Sequence, residues 1–146
     1  MPHLSVEYSA NLADDATMTR LCRALAGCLD AQREDGRKVF PTGGIRVRTL
    51  RSDAWFIADG SIPDAAFVHL NLRIGAGRSD AAIKAASAAL MDVVKRFFDD
   101  ASRTRGFAAS LEVNEFGRFG TLKHNNLHQR LAAQQGTAAE GARHAG

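Results

Sequence analysis

The residues of this 146-residue chain that could do chemistry are few, and the first stands at its start. The sequence opens Met1-Pro2, and an initiator methionine before a small residue such as proline is generally removed. The new terminus is then the secondary amine of Pro2. A free α-amino group titrates near ~7.7–8.0, and burial or neighbouring cations lower that value. Held in place, such an amine is a general base usable at neutral pH. Two arginines stand where loops meet regular structure. Arg46 follows Gly43-Gly44, and Arg78 lies between Gly77 and Ser79. Rigid scaffolds often place ligand contacts at such boundaries, and a guanidinium fork matches a carboxylate. A base and two arginines suit proton transfer on a small carboxylic acid. A proline in second place and surface arginines are common, however, so the elements that hold them decide.

Other candidates carry less. Gly75-Ala76-Gly77-Arg78-Ser79 lacks both the GxxxxGK[ST] and the GxGxxG pattern, so a nucleotide is not expected. His3, His69, His124 and His128 have no metal-ligand spacing, and His124 and His128 lack the glutamate of HExxH. The expected site has no metal. Trp55 reads as packing, or as a pocket wall beside the Asp59-Gly60 turn. Cys22 and Cys28 are six apart in a helical stretch, so they point to different faces and read as free, buried thiols.

The elements that must position Pro2 begin almost at once. Leu4, Val6 and Tyr8 alternate with polar residues and predict a strand. Asn11 to Asp15 offer a cap and a first helical turn, and Met18, Leu21, Cys22, Leu25 and Leu29 follow helical spacing. The helix is expected to fade between Arg33 and Gly36. Pro41 to Gly44 reads as a turn, Ile45 to Leu50 as a strand, and Trp55 to Ile57 as a short extended piece. Phe67 to Ile74 is the clearest strand, with Val68, Leu70, Leu72 and Ile74 on one face and Phe67, His69, Asn71 and Arg73 on the other. Ser79 caps a long amphipathic helix expected to reach about Arg105. Phe107 to Phe116 is a fourth strand, and Leu122 to Leu131 a short helix with Asn125 and Asn126 as turn or cap. Arg48 and Arg73 are assigned to ion pairs or subunit contacts.

The order is β-α-β twice, an α+β fold with a four-stranded sheet and two helices on one face. The uncovered sheet face carries Phe67 and aliphatic stems, which points to oligomerisation. Residues 2–131 form one domain, and 132–146, rich in Ala, Gln and Gly without apolar periodicity, are expected to be a disordered tail. A formal net charge of +3 with scattered basic residues is too thin a footprint for nucleic acid. No apolar run approaches the ~20 residues of a membrane span, and no signal-peptide core opens the chain. A cytoplasmic protein with a small anionic ligand is expected.

At this point the pieces resemble a known family. Met1 to Tyr8, Gly44-Ile45-Arg46-Val47-Arg48, Trp55 with Ala58-Asp59-Gly60, Ala66 to Leu70, Ile74 to Ser79 and Leu122 to His128 are similar to the 5-carboxymethyl-2-hydroxymuconate isomerases of the tautomerase superfamily. The resemblance spans roughly residues 2 to 131. It implies a tautomerase-like β-α-β repeat, a homotrimer, and no cofactor. It also implies isomerisation of a polycarboxylate dienol to its conjugated ketone in bacterial homoprotocatechuate (4-hydroxyphenylacetate) breakdown. Under it, Pro2 matches the amino-terminal base, and Arg46 and Arg78 match the substrate-binding arginines. The chain departs from the pattern in extra residues around Gln32 to Lys38 and in the tail. Two alternatives stand beside this reading. One is another superfamily tautomerase or a hydratase on a related 2-oxo acid, for which Glu7, Glu112 or Glu115 could activate water. The other is a trimeric binding module without activity.

Overall fold

The computed structural model describes residues 1–143, and side chains up to residue 135. Strand β1 (His3–Ser9) leads into helix α1 (Asp15–Ala31), then a small hairpin of β2 (Arg33–Glu34) and β3 (Arg37–Lys38). A 3-10 turn (Thr42–Gly44) precedes β4 (Arg46–Ser52). The second half runs β5 (Ala66–Ile74), α2 (Asp80–Phe97), α3 (Asp99–Thr104), β6 (Phe107–Glu115) and α4 (Leu127–Arg143).

The main sheet has the order β4-β1-β5-β6. β1 and β4 are parallel, as are β5 and β6, and the two pairs meet antiparallel between β1 and β5. Alternation sets the faces. Leu4, Val6 and Tyr8 of β1 and Val68, Leu70, Leu72 and Ile74 of β5 are all buried on one side. They meet Met18, Leu21, Leu25 and Leu29 of α1 and Ala86, Leu90 and Val94 of α2 in one core. Both helices thus cover the same face, as the repeat implied. Asp14 caps α1 by accepting from Thr17 N at 2.7 Å, and Ser79 caps α2 by accepting from Ala82 N at 3.0 Å. Burying the apolar stripe of each helix supplies most of the stability of such an element. Among the described residues no helix is long and apolar enough to cross a membrane.

Four local expectations need correction. The helix from Ser79 does not run unbroken to Arg105 but breaks at Phe98 (φ −111°, ψ 26°) before α3 resumes. Phe98 is buried there against the rings of Phe97 and Phe107, 5.3 and 5.6 Å away, so core packing sets the kink. Residues 55–57 form no strand. The extra residues around Gln32 to Lys38 do not merely prolong a link. They pair as a hairpin whose turn, Asp35-Gly36, has φ of 48° and 75°, the geometry that an Asp-Gly pair favours. Last, α4 starts at Leu127 rather than Leu122 and carries helical backbone through much of the expected tail. Its alanines favour a helix without needing an apolar stripe, and residues 144–146 of that tail lie outside the described residues.

The two cysteines are free, as expected, although each is half-buried rather than fully enclosed. Burial raises both thiol pKa values, which keeps them protonated and unreactive at neutral pH. The start of α4 is seated by His128, whose ring fills the notch left by Gly43. A Cβ added at Gly43 would lie 2.8 Å from His128 Nδ1. Gly43→Ala is therefore expected to expel the ring and cost about 1–3 kcal/mol in urea unfolding. Adding His128→Ala is expected to restore most of that loss, whereas independent effects would show that the two do not touch.

Candidate active site

Strand directions gather the candidate residues before any side chain is considered. β1 and β4 are parallel, so both begin at one end of the sheet. β5 runs the other way and ends there, and β6, parallel to β5, ends there too. That end therefore collects Pro2, Arg46, the Gly75–Arg78 loop and the segment after Glu115. The register is tight, since His3 pairs with both Arg46 and Arg73. Pro2 is buried, and its carbonyl accepts from Arg46 N at 3.0 Å. The chain start is thus fixed in the sheet.

The two arginines are braced by backbone carbonyls. Arg46 Nη1 donates to Gly43 O at 3.0 Å and Ile45 O at 2.9 Å. Arg78 donates from Nε to Val39 O at 3.1 Å and from Nη1 to Gly75 O at 2.7 Å. Its guanidinium lies 4.9 Å from the centre of the Phe40 ring, which is fully buried. Ser79, next in the chain, donates its hydroxyl to the Glu34 carboxylate on the hairpin. The hairpin and the residues after it therefore set the pose of Arg78. Burial lowers the Arg78 pKa and Glu115 raises it, and the group stays a cation at neutral pH.

The amine at the chain start is depressed below its usual 8.0. Burial is the largest cause, followed by the charges of Lys123, Arg78 and Arg46. In the full chain that amine belongs to Met1, which precedes the buried Pro2. Met1 lies against Gly44, whose added Cβ would meet Met1 Cα at 3.3 Å, and Asn125 Nδ2 reaches its sulfur at 3.7 Å. Once Met1 is gone, the amine sits on Pro2, one residue deeper among the same cations. His3 is pushed down as well, first by burial, then by Arg48, Arg46, the chain terminus and Arg73, so it is neutral near pH 7.

Of the carboxylates considered for water activation, Glu7 and Glu112 are engaged away from the chain start, and Glu115 is directed to Arg78. Glu7 accepts from Ser52 Oγ at 3.0 Å, and Glu112 accepts from Asn71 and Asn114. The charges that act most on the terminal amine are all positive. Arg48 and Arg73 line a groove on the open sheet face with Ser5, Glu7, His69 and Asn71. Arg73 also stacks 5.5 Å from the centre of the Phe116 ring. Trp55 lines a separate hollow of about 260 Å³ with Phe56, Ile62 and Pro63. Among the described residues no group of three or more His, Cys, Asp or Glu could hold a metal ion.

Sequence reasoning missed Lys123, Val39 and Phe40. Asp35-Gly36 could have signalled the hairpin that presents Val39 and Phe40. Lys123 had no local signal, because only the return of the chain after β6 brings it to the amine.

A paired β-α-β sheet with its chain start buried among cations defines a tautomerase fold. A solved fused 4-OT symmetric trimer shares it at 20% identity, with a TM-score of 0.60 over 84% of this chain and 92% of its own. The chain belongs to the 5-carboxymethyl-2-hydroxymuconate isomerase family, which matches residues 2–131. A 5-carboxymethyl-2-hydroxymuconate Delta-isomerase of Escherichia coli is 36% identical over 128 residues, 88% of this chain and 97% of its own. A 5-carboxymethyl-2-hydroxymuconate isomerase from Deinococcus radiodurans R1 has a solved structure that is similar at 43% identity. Its TM-score is 0.80, over 89% of this chain and 93% of that one.

The arrangement sets two braced arginines at the end of the sheet where the chain starts. With Met1 removed, Arg46→Gln and Arg78→Gln are each expected to weaken binding of inert succinate by about 10- to 100-fold, the value of a charge-assisted hydrogen bond. Arg48→Gln, on the open sheet face, is expected to leave it unchanged. Calorimetric titration checks this, and equal affinity in all three variants would contradict it.

Proposed function

We propose that this chain is a cofactor-independent 5-carboxymethyl-2-hydroxymuconate Delta-isomerase whose base is the Pro2 amine, released by loss of Met1. The observation that carries the reading is that Pro2 is buried at the end of the sheet where Lys123, Arg78 and Arg46 act on the terminal amine. Desolvation and the cations both disfavour the ammonium form, so the amine is available as a base near pH 7.

The chemistry needs little else. The neutral Pro2 nitrogen takes the proton of the 2-hydroxyl group. As the O–H bond breaks, the 2-oxo group forms and the double bonds shift. The Pro2 ammonium then delivers a proton to carbon 5, which restores the free amine. Atoms balance within one substrate molecule, and no electrons are exchanged. Arg46 and Arg78 hold carboxylates and stabilise the charge that develops on the enol oxygen. Such a tautomerisation gains mainly from positioning and from one matched base. A hydratase would want a carboxylate beside the amine to activate water, and the charges acting there are cationic.

The working form is a homotrimer in this reading. Its support is the open face of the sheet, where a groove of about 330 Å³ runs between Arg48, His69 and Arg73. Asn71 Oδ1 is buried on that face with no partner among the described residues, which a second copy could satisfy. Two free, protonated thiols agree with a reducing, cytoplasmic setting. The pathway of the family, homoprotocatechuate breakdown, is assigned on the same footing.

Pro2→Ala leaves a primary amine without the ring that fixes it. Its turnover of the dienol is expected to fall about 100-fold or more, with unfolding unchanged. A chain that retains Met1 is expected to be nearly inactive. Ultraviolet monitoring of dienol loss checks both, and normal turnover with Met1 in place would overturn the proposal.

A further inference from the structure

The segment between β6 and α4 supplies a cation, Lys123, that acts on the terminal amine but has no role yet in holding the substrate. After Glu115 the chain turns at Gly117–Gly120, where Gly120 N donates to Gly117 O at 2.8 Å and Gly120 has φ 61°. It then returns across the chain start. Asn125 touches Met1, and His128 is seated against Gly43. Lys123 lies on this return path. It lines a cleft of about 330 Å³ with Gly75, Ala76, Phe116 and Thr121, beside the loop that carries Arg78. Among the described residues no hydrogen bond or ion pair engages its ammonium group, whereas Lys38 is paired with Asp30 at 2.7 Å.

The chemistry of the proposed substrate gives this cation a task. A muconate has two carboxylates, and a carboxymethyl arm adds a third. Arg46 and Arg78 are two anion-binding groups for three anions. We propose that Lys123 is the third, a specificity residue that takes the carboxymethyl arm in the cleft between Gly75-Ala76 and the 116–123 loop. The inference rests on the isomerase reading for its substrate, but the site itself does not. A flexible ammonium suits this place. The arm hangs on carbon 5, the carbon that receives the proton, through a freely rotating methylene, so its carboxylate needs a charge in reach more than a rigid fork. Arg118 borders the same cleft, but its guanidinium stacks over Phe119, 4.6 Å from the ring centre.

The test compares Lys123→Met, Lys123→Arg and Arg118→Gln in Met1-free chains. The substrates are the dienol with and without its carboxymethyl arm. Lys123→Met is expected to raise KM for the tricarboxylate about 10- to 100-fold, as loss of a charge-assisted contact does. Its KM for the dicarboxylate should change less than about threefold, and kcat, compared at a pH where the Pro2 amine is neutral in both chains, should hold for both. Lys123→Arg is expected to restore the preference, and Arg118→Gln to leave it intact. Equal losses on both substrates, no loss on either, or loss of the preference in Arg118→Gln would each overturn the assignment. Calorimetry with inert propane-1,2,3-tricarboxylate separates this site from the activity. Binding that weakens in Lys123→Met, in a chain that turns over neither dienol, would uphold Lys123 and sink the isomerase reading. Binding that is unchanged in Lys123→Met would overturn the role of Lys123 whatever the turnover.

Discussion

The structure depends on where the chain begins: inside a sheet, not on the surface. β1 lies between β4 and β5, and the hydrogen bond from Arg46 N to Pro2 O extends the ladder to the second residue. Most chain termini fray, because little holds them. Here the terminus inherits the rigidity of a central strand whose inward residues, Leu4, Val6 and Tyr8, are buried. Strand polarity then does the rest. Two strands begin and two end at the same edge, so the loops that bear cations open beside the terminal amine.

The position of that amine lets fold energetics shift its protonation. Hydrophobic burial by α1 and α2 stabilises the sheet, and the sheet keeps the terminus partly desolvated. Arg46, Arg78 and Lys123 add positive charge, which lowers the amine pKa and offers anchors for carboxylates at once. Under the proposed function, the same cations that make Pro2 a better base also attract an anionic substrate to it. Backbone carbonyls brace both arginines in place. The hairpin adds a second support for Arg78 through Val39 and the Phe40 ring.

Much of this was legible in the sequence, for physical reasons. Alternation from Leu4 to Tyr8 and from Phe67 to Ile74 set both central strands and their faces, since a period of two leaves one register with a dry core. Helical spacing gave α1 and α2 with their caps. Pro2, Arg46 and Arg78 stand at element boundaries, and polarity brings those boundaries together. What was not legible depends on tertiary contact. The break at Phe98 comes from an aromatic cluster that no local pattern announces. Lys123 reaches the amine only because the chain after β6 turns back. The alanines of α4 form a helix without a stripe that periodicity could detect.

The central claim is that the fold lowers the pKa of the Pro2 amine below that of a free chain terminus. Its most direct test is an NMR titration of the nitrogen-15-labelled Pro2 amine in the Met1-free chain, followed in a chain unfolded in urea as the reference. Burial and three cations depress the Met1 amine in the full chain, and the folded Pro2 value is expected below the unfolded one on the same grounds. A folded amine that titrates at or above the unfolded value would contradict the assignment of Pro2 as the base.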